Sequence, residues 1–157
     1  MKGFKFGPIA GVIIEDLKKN ADERGWLTEL FRQDEMEKEI YPVMAYLSLT
    51  FPGKSRGPHE HKEQTDCFCF LGIGTFQLSL WDNRPNSPTY GNQIVLTITE
   101  GELKRVIVPP GVVHGYKNIG SNPAYIFNLP NRLYKGWGRK EEVDEIRYED
   151  KPSPFRL

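Results

Sequence analysis

The sequence predicts an all-β fold, a barrel or sandwich of short strands. Its apolar runs are short and rich in β-branched and aromatic residues, which is typical of strands. The 15 glycines and 12 prolines separate these runs and are nowhere massed into a linker. No internal repeat of about 20 to 50 residues is visible, which argues against propellers and solenoids. A chain of 157 residues is expected to form a single domain, residues 1–157.

Nine strands are predicted along the chain. They cover residues 11–15, 26–32, 43–51, 67–71, 74–82, 93–98, 105–108, 114–118 and 124–129. One short helix is predicted at residues 34–40, where Asp34 is placed to cap its first turn. The tail after Tyr134 is strongly charged, and we expect it to be an extension that runs along the surface.

The composition excludes several classes of partner. The 21 Lys and Arg residues balance 21 Asp and Glu residues, so we expect no binding to nucleic acid or to an acidic membrane surface. No apolar run reaches the roughly 18 residues of a membrane span, and the N-terminus lacks the apolar stretch of a signal peptide. We therefore expect a cytoplasmic protein. Cys67 and Cys69 share one face of a predicted strand and are expected to be free, buried thiols.

The three histidines all lie in two segments marked by glycine and proline. His59 and His61 end a G-x-x-x-x-x-H-x-H segment that starts at Gly53, and on an extended chain they point the same way. His114 lies in a P-x-G-x-x-H-x-x-x-N segment that starts at Pro109. The two segments resemble the signatures of the cupins. The resemblance implies a cupin barrel, a double-stranded β-helix or jelly roll, with the three imidazoles converging inside it. A plainer alternative stays open for His61, which could pair with a neighbouring carboxylate and orient its loop.

Four segments resemble one cupin family, the dTDP-4-dehydrorhamnose 3,5-epimerases, in that family's order. D-E-R-G-W-L-T-E from Asp22 resembles the family's D-x-R-G-x-x-x-E, and R-G-P-H from Arg56 resembles R-G-L-H. D-N-R-P-N-S-P-T-Y-G from Asp82 resembles D-x-R-x-x-S-P-T-F-G, and P-P-G-V-V-H-G-Y from Pro109 resembles P-x-G-F-A-H-G-F. The resemblance implies a homodimeric isomerase that transfers protons without a metal, beside the keto group of a dTDP-4-keto-6-deoxyhexose or a similar nucleoside-diphosphate sugar.

The same resemblance implies roles for individual residues. His59 is the candidate base, because an imidazole titrates near neutral pH. His114 is placed beside the keto oxygen or the enolate, and His61 is expected to polarise the substrate or relay protons. The diphosphate is assigned to Arg56 and to Arg24, which would reach the neighbouring subunit's pocket. The full predicted substrate-binding set is Arg24, Glu29, Arg56, Tyr116 and Asn128.

The sequence also departs from the family pattern. The family's catalytic tyrosine falls near Asn128, and Tyr116, Tyr125 and Tyr134 are all candidates to replace it. No S-x-K-D segment, which supplies the family's aspartate for orienting the histidine, is found in this sequence.

Three alternative functions remain open. The H-E-H-K run from His59 resembles the R-G-x-H-A-H-K segment of sugar-nucleotide 3,4-ketoisomerases, which implies a ketoisomerase or a single epimerase. His59, His61 and His114 with Asp66 would also make a three-histidine, one-carboxylate site for one divalent transition metal. A cupin that binds a sugar without catalysis is the third alternative.

Overall fold

The computed structural model describes residues 3–157, and its architecture confirms the all-β prediction. The strands among these residues are β1 (Lys5–Phe6), β2 (Ile13–Asp16), β3 (Asn20–Asp22), β4 (Gly25–Leu27), β5 (Tyr46–Thr50), β6 (Ser55–Glu60), β7 (Asp66–Leu71), β8 (Phe76–Asp82), β9 (Asn92–Ile98), β10 (Leu103–Val108), β11 (Val112–Asn118), β12 (Ala124–Asn128) and β13 (Ile146–Arg147). Single 3-10 turns lie at Gln33–Glu35, Lys38–Ile40 and Trp137–Arg139. Within residues 3–157, no helix is long and apolar enough to cross a membrane.

Two sheets face each other across the main core. One has the strand order β1-β9-β8-β11-β6-β13, the other has the order β2-β10-β7-β12-β5, and β3 and β4 form a separate hairpin. The core contains Phe68 and Phe70 from the five-stranded sheet and Leu78 and Leu80 from the six-stranded sheet, all almost fully buried. Because these side chains alternate with outward-facing ones along each strand, the apolar pattern of the sequence fixes which face of each sheet turns inward.

Strand β7 is buried on both faces, which explains its continuous apolar sequence. Phe68 and Phe70 face the main core, whereas Cys67 and Cys69 face a second, smaller cluster. That cluster is covered by partly buried side chains from the N-terminal segments, Leu17, Leu30, Met36 and Ile40. The prediction of two free, buried cysteines is confirmed.

Two predicted elements are wrong. The predicted helix at 34–40 is two separate 3-10 turns with extended backbone at Met36 and Glu37 between them, because so short a segment cannot repay helix nucleation. Asp34 caps nothing and forms an ion pair with Arg32 instead. The predicted strand at 26–32 ends at Leu27, since the following residues leave the hairpin and Leu30 packs against the cysteine cluster.

The charged tail is more than a surface extension, which corrects the expectation from its composition. Ile146–Arg147 pairs with β6 as the edge strand of the six-stranded sheet. Phe155 is 4% exposed and packs against Trp81 and Tyr148. These apolar contacts fix the tail beside β6, the strand that carries His59.

Candidate active site

The two histidine segments lie on adjacent strands. His59 on β6 is the cross-strand partner of His114 on β11, and the register shifts after this pair. Gly57 makes the close approach possible, because it has a φ of +81° and a Cβ there would lie 2.6 Å from the carbonyl oxygen of His114. The glycine of the R-G-P-H segment thus has a definite structural cause.

The three imidazoles converge inside the barrel, as the sequence predicts. The ring centroids of His59 and His114 are 4.5 Å apart, those of His59 and His61 are 5.6 Å apart, and those of His61 and His114 are 5.8 Å apart. They form one cluster of titratable groups at the end of the core, where Phe68 contacts His114 edge-on.

The cluster has an outer and an inner layer. His59 and His61 line a cavity of about 450 Å³, within the usual range for a ligand site. His114 is 1% exposed and does not line this cavity. His114 thus contacts His59 and Asp66 rather than the cavity, and its predicted position beside a keto oxygen stays a prediction.

Asp66 connects His114 of the inner layer to His61 of the outer layer. Its Oδ2 atom is 3.0 Å from Nε2 of His114 and 3.1 Å from Nε2 of His61. Its Oδ1 atom accepts hydrogen bonds from the side-chain amides of Gln64 and Asn128, both at 2.8 Å. Asp66 Oδ2 and His114 Nε2 are buried, yet neither makes a well-aligned hydrogen bond to a described residue.

The surroundings of His59, His61 and Asp66 give these neighbouring groups different charges at neutral pH. Burial, and then the neighbouring His114, lower the pKa of His59 to about 2, so its imidazole is neutral at neutral pH. Burial alone would lower the pKa of His61, but the close contact with the charged Asp66 outweighs it and raises that pKa to about 9. Burial alone would raise the pKa of Asp66, but the imidazoles of His114 and His61, 3.0 and 3.1 Å from its Oδ2, hold it well below its ordinary value. The site therefore sets a neutral imidazole beside a buried His61–Asp66 ion pair.

The tail completes the site with two carboxylates that the sequence analysis did not single out. The carboxylate of Asp144 accepts hydrogen bonds from three consecutive backbone N–H groups, those of Lys62, Glu63 and Gln64. The carbonyl oxygen of Asp144 also contacts Nδ1 of His61.

Glu145 places its Oε1 atom 3.6 Å from Nδ1 of His59. Only the charged character of the tail pointed to these residues, because their positions depend on the pairing of β13 with β6.

Two of the predicted substrate-binding residues line the cavity. The guanidinium of Arg56 is oriented by the carbonyl oxygen of Leu49 at 2.9 Å and by Oγ1 of Thr50 at 3.3 Å. It makes no ion pair with any residue from 3 to 157, so its charge is available to a ligand. The hydroxyl of Tyr116 shares a hydrogen bond with Ser48 at the same wall.

The other three predicted residues lie elsewhere. The side chain of Arg24 is 84% exposed on the β3–β4 hairpin and pairs with Asp22, and Glu29 pairs with Arg32. Neither Arg24 nor Glu29 lines the cavity of its own chain. Asn128 is fully buried, is bonded to its neighbours and does not line the cavity, and its contact with substrate stays a prediction.

The donor set also satisfies the basic requirement for a metal site. One ligand atom from each of His59, His61, Asp66 and His114 lies within 4.8 Å of the others. Three imidazoles and one carboxylate suit a divalent transition metal. The unaligned Oδ2 of Asp66 and Nε2 of His114 are the atoms that such an ion would satisfy.

Known proteins resemble this chain in both sequence and fold. Residues 7–151 match the family described as dTDP-4-dehydrorhamnose 3,5-epimerase. The probable low-salt glycan biosynthesis epimerase Agl13 of Haloferax volcanii is 39% identical over 140 residues, which is 88% of this chain and 86% of that protein. The spore coat polysaccharide biosynthesis protein SpsL of Bacillus subtilis is 33% identical over 139 residues, 88% of each chain.

Among solved structures, the 3,5-epimerase RmlC of Legionella pneumophila, in complex with dTDP-4-keto-L-rhamnose, matches with a TM-score of 0.74 at 20% identity. The match covers 92% of this chain and 76% of that one. This similarity confirms the predicted jelly-roll cupin fold.

Proposed function

Because the chain belongs to the dTDP-4-dehydrorhamnose 3,5-epimerase family, we infer that it is a nucleotide-sugar epimerase, an enzyme of the isomerase class. Family membership favours this enzyme over a cupin that only binds sugar. Two of its relatives are named for glycan or polysaccharide biosynthesis, and we propose the same setting for this chain.

We propose that His59 is the base that removes a proton from the sugar carbon next to the keto group. The observation that carries the proposal is the position of the His59 imidazole at the wall of a ligand-sized cavity, with Oε1 of Glu145 3.6 Å from its Nδ1. A neutral ring can accept a proton at its other nitrogen, and the carboxylate then stabilises the imidazolium that forms. Glu145 would take the orienting part that the family gives to an aspartate.

The remaining histidines support this transfer without taking the proton from carbon. His61, which is cationic and lines the cavity, would stabilise the negative charge that develops on the keto oxygen. His114 lies between Asp66 and His59, so it would fix the orientation of the base.

The proposed ligand is a nucleoside-diphosphate sugar with a 4-keto-6-deoxyhexose. Arg56 supports this choice, because its guanidinium is positioned by backbone and hydroxyl oxygens and left free of a carboxylate. Guanidinium groups match phosphate oxygens in two parallel hydrogen bonds. A related structure was solved with dTDP-4-keto-L-rhamnose, which has this chemistry.

We further propose a homodimer in which the β3–β4 hairpin delivers Arg24 to the partner's cavity. The exposure of Arg24, together with that of Trp26 and Leu27 on the same hairpin, supports a contact there.

The cytoplasmic location and the single-domain organisation also stay predictions.

A metal-dependent enzyme is the second candidate, and the four converging donors favour it. His59, His61, Asp66 and His114 would hold the ion, which would supply a Lewis acid for the keto oxygen. Mass spectrometry of untagged protein separates the candidates. About one transition metal per chain, lost in His114→Ala, would establish the metal site and remove His59 from the role of base.

The base assignment is tested by solvent exchange. Incubated in D2O with dTDP-4-keto-6-deoxyglucose, the protein should place deuterium at C3 or C5 of the sugar, as read by NMR. His59→Asn should lose this exchange while keeping the wild-type circular dichroism spectrum. A folded His59→Asn variant that still exchanges the proton would remove the assignment.

A further inference from the structure

We propose that Tyr46 is the acid that returns a proton to the sugar carbon and so completes the inversion. The proposal rests on the proposed function, because it assigns the second proton transfer of the same reaction. An epimerase must deliver a proton to the face opposite the one from which its base removed it, so His59 cannot supply both transfers alone. A second, separate donor is required.

The strand pairing places Tyr46 where a donor is needed. Strands β5 and β12 are antiparallel neighbours, and Tyr46 is the direct cross-strand partner of Asn128. Residues in this relation project from the same face of the sheet with Cβ atoms about 5 Å apart. Asn128 stands where the family resemblance places a catalytic tyrosine. In this chain the phenol is thus supplied by Tyr46 on the adjacent strand β5, directly opposite Asn128.

Hydrogen bonds define the direction in which the Tyr46 hydroxyl is free to act. Oδ1 of Asn128 accepts from the backbone N–H of Cys67 at 3.0 Å, and its Nδ2 donates to Asp66 Oδ1 at 2.8 Å. These two partners fix the orientation of the amide, so Nδ2 also donates to the Tyr46 hydroxyl oxygen at 2.9 Å. The Tyr46 oxygen accepts this bond, and its own O–H remains available to a ligand.

The surroundings of Tyr46 fit a proton donor. The side chain lines the cavity together with His59 and is 42% exposed there. Burial, and then the charge of Asp66, raise the pKa of the Tyr46 phenol above its usual range, so it carries its proton at neutral pH. The bonds from Tyr46 through Asn128 to Asp66 join the donor to the same carboxylate that faces His114 and His61.

The other tyrosines offered by the sequence are less well placed. Tyr125 belongs to the outer face of the sheet, where it lines an apolar groove with Leu47 and Phe127. Tyr116 is 3% exposed and its hydroxyl is shared with Ser48. Tyr134 is 49% exposed at the cavity edge, and no hydrogen bond from the described residues orients its hydroxyl.

Two proton transfers, one to His59 and one from Tyr46, invert the sugar carbon. The C–H bond beside the ketone breaks, its proton goes to the imidazole of His59, and its electron pair is held as an enolate on the keto oxygen. The enolate collapses to the ketone as a new C–H bond forms with the phenol proton of Tyr46 on the opposite face. The Tyr46 phenolate then takes a proton from solvent and His59 releases one, which restores the enzyme.

Tyr46→Phe tests the proposal, with Tyr125→Phe as a matched control on the neighbouring strand's outer face. In D2O with dTDP-4-keto-6-deoxyglucose, Tyr46→Phe should still wash deuterium into the sugar through His59, at a rate within about threefold of wild type. Its formation of inverted product should fall at least about 100-fold. Tyr125→Phe should match wild type in both readouts.

Two results would overturn the assignment: inverted product formed by Tyr46→Phe at the wild-type rate, or loss of both exchange and product in a folded Tyr46→Phe. The first would show that another group is the acid, and the second that Tyr46 serves the first transfer or binding. Absence of exchange in the wild-type protein is a different outcome, because it would refute the proposed function and His59 as its base.

Discussion

Two buried aspartates, Asp66 within the histidine cluster and Asp82 at the end of β8, have similar burial but different surroundings. Both are nearly inaccessible to solvent and both have a pKa below the ordinary range. Asp82 accepts hydrogen bonds on both oxygens, from the guanidinium and backbone N–H of Arg84 and from the hydroxyls of Ser87 and Thr89. Asp66 has one saturated oxygen, whereas its Oδ2 faces two histidines without a well-aligned hydrogen bond.

The difference separates a structural use from a functional one. Both carboxylate oxygens of Asp82 accept hydrogen bonds from donors within the turn that contains residues 82–91. The network stabilises this loop and leaves no acceptor for a ligand. Around Asp66 the protein leaves a carboxylate oxygen and an imidazole nitrogen free to change partners. Unsaturated groups of this kind cost stability and are expected where protons move.

The largest effect expected is on catalysis, from Asp66→Asn. The change removes the charge that pairs with His61 and faces His114, so kcat should fall about 10²- to 10⁴-fold. At pH 8 the loss of stability should be smaller than the loss of activity, because His61 without its partner can release its proton. Steady-state kinetics and urea unfolding at pH 8 measure the two effects. An Asp66→Asn enzyme with wild-type kcat would break the comparison.

Asp82→Asn should show the opposite pattern. Replacing one oxygen with an amide leaves the Arg84 guanidinium without its bidentate partner, and the free energy of unfolding should fall by about 3 kcal/mol. The rate of the folded enzyme should stay within about threefold of wild type, because this turn lies outside the cavity wall. Trp81, which is buried beside Asp82, reports unfolding by fluorescence. A selective loss of kcat with unchanged stability would contradict the structural role.

The contribution of Asp82 should also appear in the pH dependence of stability. Hydrogen bonds from Arg84, Ser87 and Thr89 outweigh burial and depress the pKa of Asp82, so the unfolded chain binds its proton first as pH falls. The stabilisation is therefore complete above the unfolded pKa of about 3.9 and is lost as the pH drops below it. The stability difference between wild type and Asp82→Asn should shrink between about pH 5 and pH 2.5. A difference that stays constant over this range would refute the linkage.

The smallest effect is expected from Glu145→Gln. Glu145 forms an ion pair only with the imidazolium that His59 becomes when it takes the proton. A partly exposed ion pair contributes up to about 1 kcal/mol, so loss of this charge should lower kcat by about fivefold. Stability should change by less than about 0.5 kcal/mol. Glu149→Gln is the control, because that tail carboxylate pairs with Arg147 rather than with a histidine. Equal effects of the two substitutions would show that Glu145 has no particular part in orienting the base.

The sequence was sufficient for those parts of the site that lie within one motif. Strand alternation, a local property, predicts that His59 and His61 share one face. The barrel and the convergence of both with His114 were implied by the resemblance of the two motifs to the cupin signatures. The depth of His114 behind His59 depends on the pairing of β6 with β11, which no local pattern reveals.

Residues placed by pairing between distant segments escaped prediction. Tyr46 reaches the cavity through the register of β5 against β12, and Glu145 reaches His59 through the edge strand β13. Arg24 and Glu29 match the family segment, but the cavity of a single chain does not include them. Their predicted roles depend on a second subunit, which is a property of assembly rather than of local sequence.

The most direct test of proton transfer by His59 is deuterium exchange on dTDP-4-keto-6-deoxyglucose, with protein that has been treated with a chelator and shown to be free of metal. We predict that the metal-free enzyme exchanges the proton at C3 or C5 at its full rate and that His59→Asn does not. Exchange that disappears with the metal and returns when a divalent transition metal is added, or that survives in His59→Asn, would contradict it.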